Sequence, residues 1–142
     1  MYESSGGGVS RLMYRLVGQM AHIDIQRDTE MGYGILIAHG GPVVINSSAV
    51  IGDNVDIFQN ATIGSSFFHA AHIGNNVYIG PNVCIVEDVK IGDGVTIGAG
   101  AVVVKDVEAG MTVAGNPARV ISHKEPGRLV WRRWNKEWNK HK

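Results

Sequence analysis

The chain has 142 residues, and its 13 Lys and Arg residues balance its 13 Asp and Glu residues, so its formal net charge is zero. That length fits one domain. The charge balance argues against general nucleic-acid binding, and no segment approaches the ~18 apolar residues of a membrane span. A single cysteine excludes an internal disulfide framework. With a polar, glycine-rich start that lacks an apolar signal core, these features predict a cytoplasmic protein.

Residues 1–22 are predicted to form an N-terminal arm and a short helix. Apolar residues recur there at helical spacing, which is typical of an amphipathic helix of about three turns. These residues are Val9, Leu12, Met13, Leu16, Val17 and Met20. We expect this helix to plug one end of the domain that follows.

Residues 23–121 carry a six-residue repeat in which an apolar residue, often followed by Gly, returns twelve times. Its members are Ile25, Met31, Ile37, Ile51, Ile57, Ile63, Ile73, Ile79, Ile85, Ile91, Ile97 and Val103. A period of six fits neither a helix nor a plain strand, but it fits a short strand plus a turn. Three such units make one triangular coil, so the sequence predicts an all-β solenoid, a left-handed parallel β-helix. The eight residues from Val43 to Val50 predict a small bulge at a corner.

The repeat lapses in loop 64–72, which holds Phe67, Phe68, His69 and His72. A loop that leaves a rigid scaffold and carries such side chains is a candidate for function. We expect Phe68, His69 and His72 to contact substrate. Zinc ligation by the histidines is a weaker alternative, because their spacing matches no metal-binding signature.

Residues 122–142 are basic and rich in tryptophan, and we predict a C-terminal helix there. From Arg119 onward the chain has eight basic and two acidic residues. The predicted helix places Val130, Trp131, Trp134 and Trp138 on one side. Packing of this side on the coils or on a sister subunit is favoured over contact with an anionic membrane surface.

His39 is the leading candidate for a catalytic residue, because it lies among glycines at a predicted coil corner where hexad packing requires no histidine. Histidine suits proton transfer near neutral pH. Asp24 lies fifteen residues earlier, which places it about one coil of eighteen residues away, with an offset of three. Since adjacent coils are ~4.8 Å apart, its carboxylate could orient the imidazole.

The sequence resembles the hexapeptide-repeat acyltransferases, and within them the serine acetyltransferase branch. The resemblance covers about residues 24–121. Its most specific parts are Asp24-Ile25 followed by His39 in the pattern His-x-x-x-Val-Val-Ile, and the run from Ile97-Gly98-Ala99-Gly100 to Asn116-Pro117-Ala118-Arg119. By resemblance, His39 is the general base and Asp24 its partner, and no metal is needed.

The same resemblance implies acetyl-CoA as acetyl donor, bound between subunits of a homotrimer near Gly80, Pro81, Ala99, Lys105 and Arg119. The acceptor is then a small-molecule hydroxyl, that of an amino acid such as serine or of a sugar. Serine enzymes usually carry Asp immediately before the catalytic His, where this chain has Ala38. Their substrate loop is also longer, and His69 would replace its histidine.

Three alternatives remain open at this stage. The acceptor could be a sugar hydroxyl in surface-polysaccharide biosynthesis. A zinc-dependent hydratase of the γ-carbonic-anhydrase type would share the β-helix. A non-catalytic scaffold would use the solenoid only for assembly, although the interval from Asp24 to His39 argues against it.

Overall fold

The computed structural model describes residues 7–134. Within them the six-residue repeat forms short strands that wind into a solenoid of about five turns, preceded by one helix, α1 (Gly7–Ala21). Strands one turn apart pair in parallel, so the solenoid has three sheets, here called faces A, B and C.

Each face is built from one strand per turn. Face A contains β1 (Ile23–Ile25), β4 (Val43–Ile45), β7 (Ala61–Gly64), β10 (Cys84–Val86) and β13 (Val102–Val103). Face B contains β2 (Glu30–Met31), β5 (Val50–Ile51), β8 (His72–Ile73) and β11 (Lys90–Ile91). Face C contains β3 (Leu36–Ile37), β6 (Asp56–Ile57), β9 (Tyr78–Ile79), β12 (Thr96–Ile97), β14 (Thr112–Ala114) and β15 (Arg119–Ser122).

The core consists of the repeat positions. The large residue of each central hexad points inward and is almost fully buried, from Ile51 to Val103. The smaller fifth residues of the hexads, such as Val55, Ala61 and Val77, fill the space between them. One large and one small inward side chain per hexad therefore explains why the strands are so short and so regular.

The coils depart from an eighteen-residue repeat at three corners, and the last of these, after Val103, is two residues short, since Ile97 pairs with Val113 sixteen residues on. Cys84 pairs with Val102, eighteen residues on, whereas Ile23 pairs with Val43, twenty residues on. Because Ile25, Met31 and Ile37 keep the six-residue spacing, the two extra residues lie in corner 38–42. The predicted bulge between Val43 and Val50 is wrong, since Val43 pairs with Ala61 at the regular interval of eighteen. The other departure is the predicted loop, which follows β7.

Helix α1 forms where the apolar spacing predicts it, but it covers the open end of the solenoid only in part. Its apolar residues from Val9 to Met20 are between 45% and 82% exposed. A cavity of about 820 Å³ lies between the helix and the first coil, and Met13, Val17, Ile25 and Ile37 are among the residues that line it. The Tyr14 hydroxyl donates a hydrogen bond to the Ile25 carbonyl oxygen, 2.6 Å away. No helix in the described part of the chain is long and apolar enough to cross a membrane.

The predicted C-terminal helix is wrong over residues 123–134, which form turns and an irregular, extended segment. After β14 the chain reverses into the antiparallel strand β15 and then returns along the solenoid toward its N-terminal end. The Gly127 N–H donates to the Gly94 carbonyl, and the Trp134 N–H donates to the Asn54 side chain. We call residues 126–134 the strap.

The strap packs on the coils, but not through its tryptophans. Val130 is 1% exposed, whereas Trp131 and Trp134 are 72% and 64% exposed. Because the strap is not helical, Val130, Trp131 and Trp134 do not align on one side as the predicted helix would have aligned them. Trp138 lies outside the described residues.

Candidate active site

One edge of the solenoid carries five of the predicted site residues, namely Ala38, His39, Gly80, Pro81 and Ala99. Here the chain turns from face C to face A, through corners 38–42, 58–60, 80–82 and 98–101, and we call this the C–A edge. Backbone bonds join successive corners: Asn60 N–H donates to the Pro42 carbonyl, Asn82 N–H to that of Gln59 and Gly100 N–H to that of Pro81. The corners therefore form a continuous column along the solenoid axis.

His39 lies at the first corner of this column. Its φ is 63°, in the left-handed region, and Gly40 beside it also has a positive φ of 56°. A Cβ added at Gly40 would meet no atom within 4 Å, so the solvent side of this corner is open. The His39 ring lies 5.6 Å from that of Phe58 on the next coil, and Phe58 lies 4.9 Å from Tyr78. The imidazole is thus supported on one side by an aromatic row and accessible on the other.

Ala38 directly precedes His39 and donates its N–H to the Ile57 carbonyl oxygen. Its methyl side chain offers no polar group to a ligand. Gln59, directly beneath this corner, has a buried side-chain oxygen without a hydrogen-bond partner among the described residues. A Cβ at Gly41 would lie 2.5 Å from the Gln59 Cβ, so these two coils are in close contact. The Gln59 side chain is therefore packed beneath Gly41, on the coil that follows the His39 corner.

Asp24 lies in the first coil together with His39, and not in an adjacent coil as the spacing alone suggested. It is the exposed middle residue of β1 and pairs with Val44. A pocket of about 580 Å³ brings Asp24 together with His22 and with Pro42, which ends the His39 corner. No hydrogen bond joins Asp24 to His39 among the described residues. The structure thus places the carboxylate beside the corner, in a pocket large enough for a small molecule.

Three of the predicted cofactor-binding residues, Gly80, Pro81 and Ala99, lie on the C–A edge below His39. Gly80 is required by packing, because a Cβ there would lie 2.9 Å from the Ala99 nitrogen and the Ile97 oxygen. Gly100, with a φ of 71°, has open space around its Cβ position. The lower corners are therefore accessible to a ligand that lies along the edge.

Lys105 and Arg119 come together at the C-terminal end of the solenoid. Both line one pocket of about 310 Å³, which Asp106 and Ala118 also help to form. Both side chains are exposed. Two cations at the C-terminal end of the solenoid provide a site for an anionic group.

Loop 64–72 lies on a different edge, where the chain turns from face A to face B. Phe68 is 89% exposed, and His69 is exposed as well. His72 is an exposed residue of β8 and pairs with Val50 and Lys90. Since one side of the coil is about six residues at roughly 3.3 Å each, face A separates this loop from His39 by about 15–20 Å. Within one chain the structure does not bring His69 or His72 to His39.

The three histidines therefore do not meet as a metal site within one chain. Across residues 7–134, no group of three or more His, Cys, Asp or Glu side chains is placed to hold a metal ion.

A buried charge lies on face C beneath the strap. Asp56 is 2% exposed, and its Oδ1 lacks a hydrogen-bond partner in the described part of the chain. Burial raises the pKa of this carboxyl, and the nearby positive charge of Arg132 opposes that effect. Burial, and to a lesser degree the Asp56 charge, raises the pKa of the neighbouring Tyr78 hydroxyl.

Sequence reasoning missed Phe58, Gln59 and His22 as parts of the site. Phe58 follows a hexad isoleucine at a position where later coils carry Gly80 and Gly98. The large side chain of Phe58 at a position where other coils carry glycine could have indicated a contact residue at this edge. His22 and Gln59 carry no such signal, since only the stacking of corners shows what lies beside them.

Comparison with known proteins agrees with this geometry. The model of the family described as "Bacterial transferase hexapeptide (six repeats)" matches residues 70–105. Serine acetyltransferase 1, chloroplastic, of Arabidopsis thaliana is 45% identical over 121 residues, which are 82% of this chain and 38% of the relative.

Solved structures give the same result. Soybean serine acetyltransferase apoenzyme matches with a TM-score of 0.74 and 35% identity, over 82% of this chain and 50% of that one. Neisseria gonorrhoeae serine acetyltransferase in complex with serine matches with a TM-score of 0.70 and 34% identity, over 81% and 50%. The chain thus spans about half the length of these solved structures and a smaller share of the Arabidopsis thaliana sequence. In sequence and fold it is a hexapeptide-repeat protein of the serine acetyltransferase-like type.

Proposed function

We propose that this protein is an acetyl-CoA-dependent O-acetyltransferase in which His39 is the general base. The observation that carries the proposal is the His39 corner, which is open to solvent, supported by Phe58 and bordered by a pocket that contains Asp24. A base in such a position has access to a small hydroxylic molecule. The likeness to serine acetyltransferases over four fifths of the chain supports the same chemistry.

The reaction needs two proton transfers and one acyl transfer. His39 takes the proton of the acceptor hydroxyl as its oxygen attacks the carbonyl carbon of the thioester. The carbon–sulfur bond then breaks, and the departing thiolate takes that proton from the His39 imidazolium, which regenerates the base. Asp24 stabilises the imidazolium that forms in between. Backbone N–H groups near the thioester would stabilise the oxyanion.

Acetyl-CoA would lie along the C–A edge, with its thioester near His39 and its phosphates toward Lys105 and Arg119. The lower corners at Pro81, Ala99 and Gly100 leave room for an extended chain. The cationic pocket at the C-terminal end of the solenoid suits phosphate groups.

L-Serine is the proposed acceptor. The structural relative from Neisseria gonorrhoeae was solved with serine, and similarity to it supports an amino-acid hydroxyl. A sugar hydroxyl is the second candidate, favoured by Ala38. Serine enzymes resembling this chain carry a carboxylate at that position to contact the amino acid, and a methyl group cannot make that contact.

We also propose that the protein is a homotrimer. In one chain, face A separates loop 64–72 from His39. A neighbouring copy packed against this face could place its loop beside His39 and complete the acceptor site with Phe68 and His69. Cyclic symmetry then creates three equivalent sites. Like the hexapeptide-repeat acyltransferases it resembles, the coil is proposed to be left-handed.

The test is acetyl-CoA consumption with detection of the free thiol, across L-serine, L-homoserine and a panel of sugars. We expect turnover with L-serine to exceed that with the other acceptors. Preference for a sugar would support the second candidate. No thiol release with any acceptor, together with stoichiometric zinc in the purified protein, would favour a metal-dependent hydratase instead.

A further inference from the structure

Two corner residues of the solenoid have a backbone conformation that is unusual for their residue type. A left-handed φ suits Gly, and Asn more than other residues, because a Cβ crowds the backbone there. Within residues 23–122 the residues with positive φ are Gly or Asn, except for His39 at 63° and Glu87 at 63°. Strained residues of this kind often mark functional sites. His39 has a proposed role, and Glu87 calls for one.

Glu87 forms hydrogen bonds to loop 64–72, which leaves the coil that precedes it in the chain. Its carboxylate accepts a hydrogen bond from the Ser65 hydroxyl at 2.8 Å and from the Ser66 N–H at 3.1 Å. Ser65 in turn accepts a bond from the Phe67 N–H at 3.0 Å. The Glu87 backbone N–H also donates to the Gly64 carbonyl oxygen. Glu87 thus fixes the three residues that lead to Phe68.

The other end of the loop is fixed from the coil on its opposite side. The Ala70 N–H donates to the Ser48 hydroxyl at 2.9 Å, and Ser48 bonds to the Asn46 side chain. Ala70 and Ala71 are fully buried. Only Phe67, Phe68 and His69 project into solvent between these two anchors.

We propose that Glu87 is a positioning residue, which holds loop 64–72 so that Phe68 and His69 are presented to the acceptor. The proposal rests on the proposed acetyltransferase function for the identity of that acceptor. Hydrogen bonds to the carboxylate offset the backbone strain at Glu87. The bonds lower the pKa of Glu87, so the carboxylate stays charged at neutral pH.

The decisive variant is Glu87→Gly, because it removes the loop anchor and relieves the backbone strain at once. We expect amide hydrogen exchange at Ser66 and Phe67 to accelerate by about tenfold or more, given the strength of bonds to a charged acceptor. The melting temperature should not fall, since Gly is the preferred residue at this φ. The acceptor KM should rise by about five- to tenfold, whereas the acetyl-CoA KM should not change.

Two further variants complete the test. Glu125→Gly is the matched control, because Glu125 also has a positive φ, 55°, but within residues 7–134 its carboxylate bonds to Arg128 and not to the loop. It should leave loop exchange and both KM values unchanged. Glu87→Gln keeps one acceptor oxygen and should fall between Glu87→Gly and the wild type.

If amide hydrogen exchange at Ser66 and Phe67 is unchanged in Glu87→Gly, then Glu87 does not anchor the loop. Faster exchange with an unchanged acceptor KM would overturn the link to the acceptor. A wild-type protein that acetylates nothing would defeat the proposed function and with it the acceptor role, while hydrogen exchange would still decide whether Glu87 holds the loop.

Discussion

His39 occupies a backbone conformation that restricts how its role can be tested. Ala at a φ of 63° would add strain, whereas Asn tolerates this region, so His39→Asn removes the base with little change in backbone. We expect the turnover number to fall by about 10²–10⁴-fold, the usual effect of losing a general base. The acetyl-CoA affinity should be unchanged. Steady-state kinetics measures the turnover number, and equilibrium binding measures the acetyl-CoA affinity.

Asp24→Asn is the companion variant, and it should reduce turnover less than His39→Asn, because it leaves the base in place. A His39→Asn protein that keeps more than about a third of the wild-type rate would contradict the mechanism, since base removal costs far more.

Asp56 makes a second prediction, about pH and stability. Its folded pKa is raised from 3.8 by burial, so the folded state holds this proton more tightly than the unfolded chain. Stability is therefore lost as the pH rises from about 3.8 through the folded pKa, and the loss persists above it. Asp56→Asn should be more stable than the wild type at pH 7, and the difference should vanish toward pH 3. Urea unfolding across this range measures it. A variant less stable than the wild type at pH 7 would mean that attraction to Arg132 outweighs burial.

Lys105 and Arg119 test where the cofactor phosphates lie. Removing either cation should weaken acetyl-CoA binding, and the effect should shrink as salt rises, because exposed charges are screened within about 10 Å at 0.1 M. Calorimetric titration at two salt concentrations measures this. Lys90→Ala removes an exposed lysine on face B and should have no effect. Equal affinities in the wild type and both pocket variants would place the cofactor elsewhere.

Among the elements, the strands were predictable and the strap was not. Each strand follows from its own hexad, because an inward Ile and a smaller partner recur regardless of distant contacts. The strap depends on bonds from Gly127 to Gly94 and from Trp134 to Asn54, which no local pattern encodes. The importance of the His39 corner was predicted from residue type. Its two extra residues were predicted one corner too late, between Val43 and Val50, since only strand pairing shows where a coil is longer.

Val130 provides the test of the strap. It is almost fully buried, so Val130→Ala should destabilise the protein by about 1–3 kcal/mol, the range for loss of buried methyl groups. Trp131→Ala, next in the chain, removes a larger but exposed side chain on whose ring Arg132 stacks, 4.3 Å away, and should cost less than about 1 kcal/mol. Thermal unfolding ranks the two. The opposite order would indicate that the tryptophans, and not Val130, hold this segment in place.

At the scale of the whole molecule, the separation of His39 from loop 64–72 within one chain makes assembly testable by complementation. In the proposed trimer each site takes His39 from one subunit and the loop from another. His39→Asn and a loop variant, His69→Ala with Phe68→Ala, should each have low activity alone.

Unfolding and refolding the two variants together in equal amounts should restore about a quarter of the wild-type rate, because one random site in four then combines two intact contributions. The control is the same mixture of the two variants without unfolding, so that their subunits do not exchange. Light scattering should give three times the chain mass for each variant. A mixture no more active than its components would place His39 and its loop in the same subunit, and a monomer in solution would remove the shared site altogether.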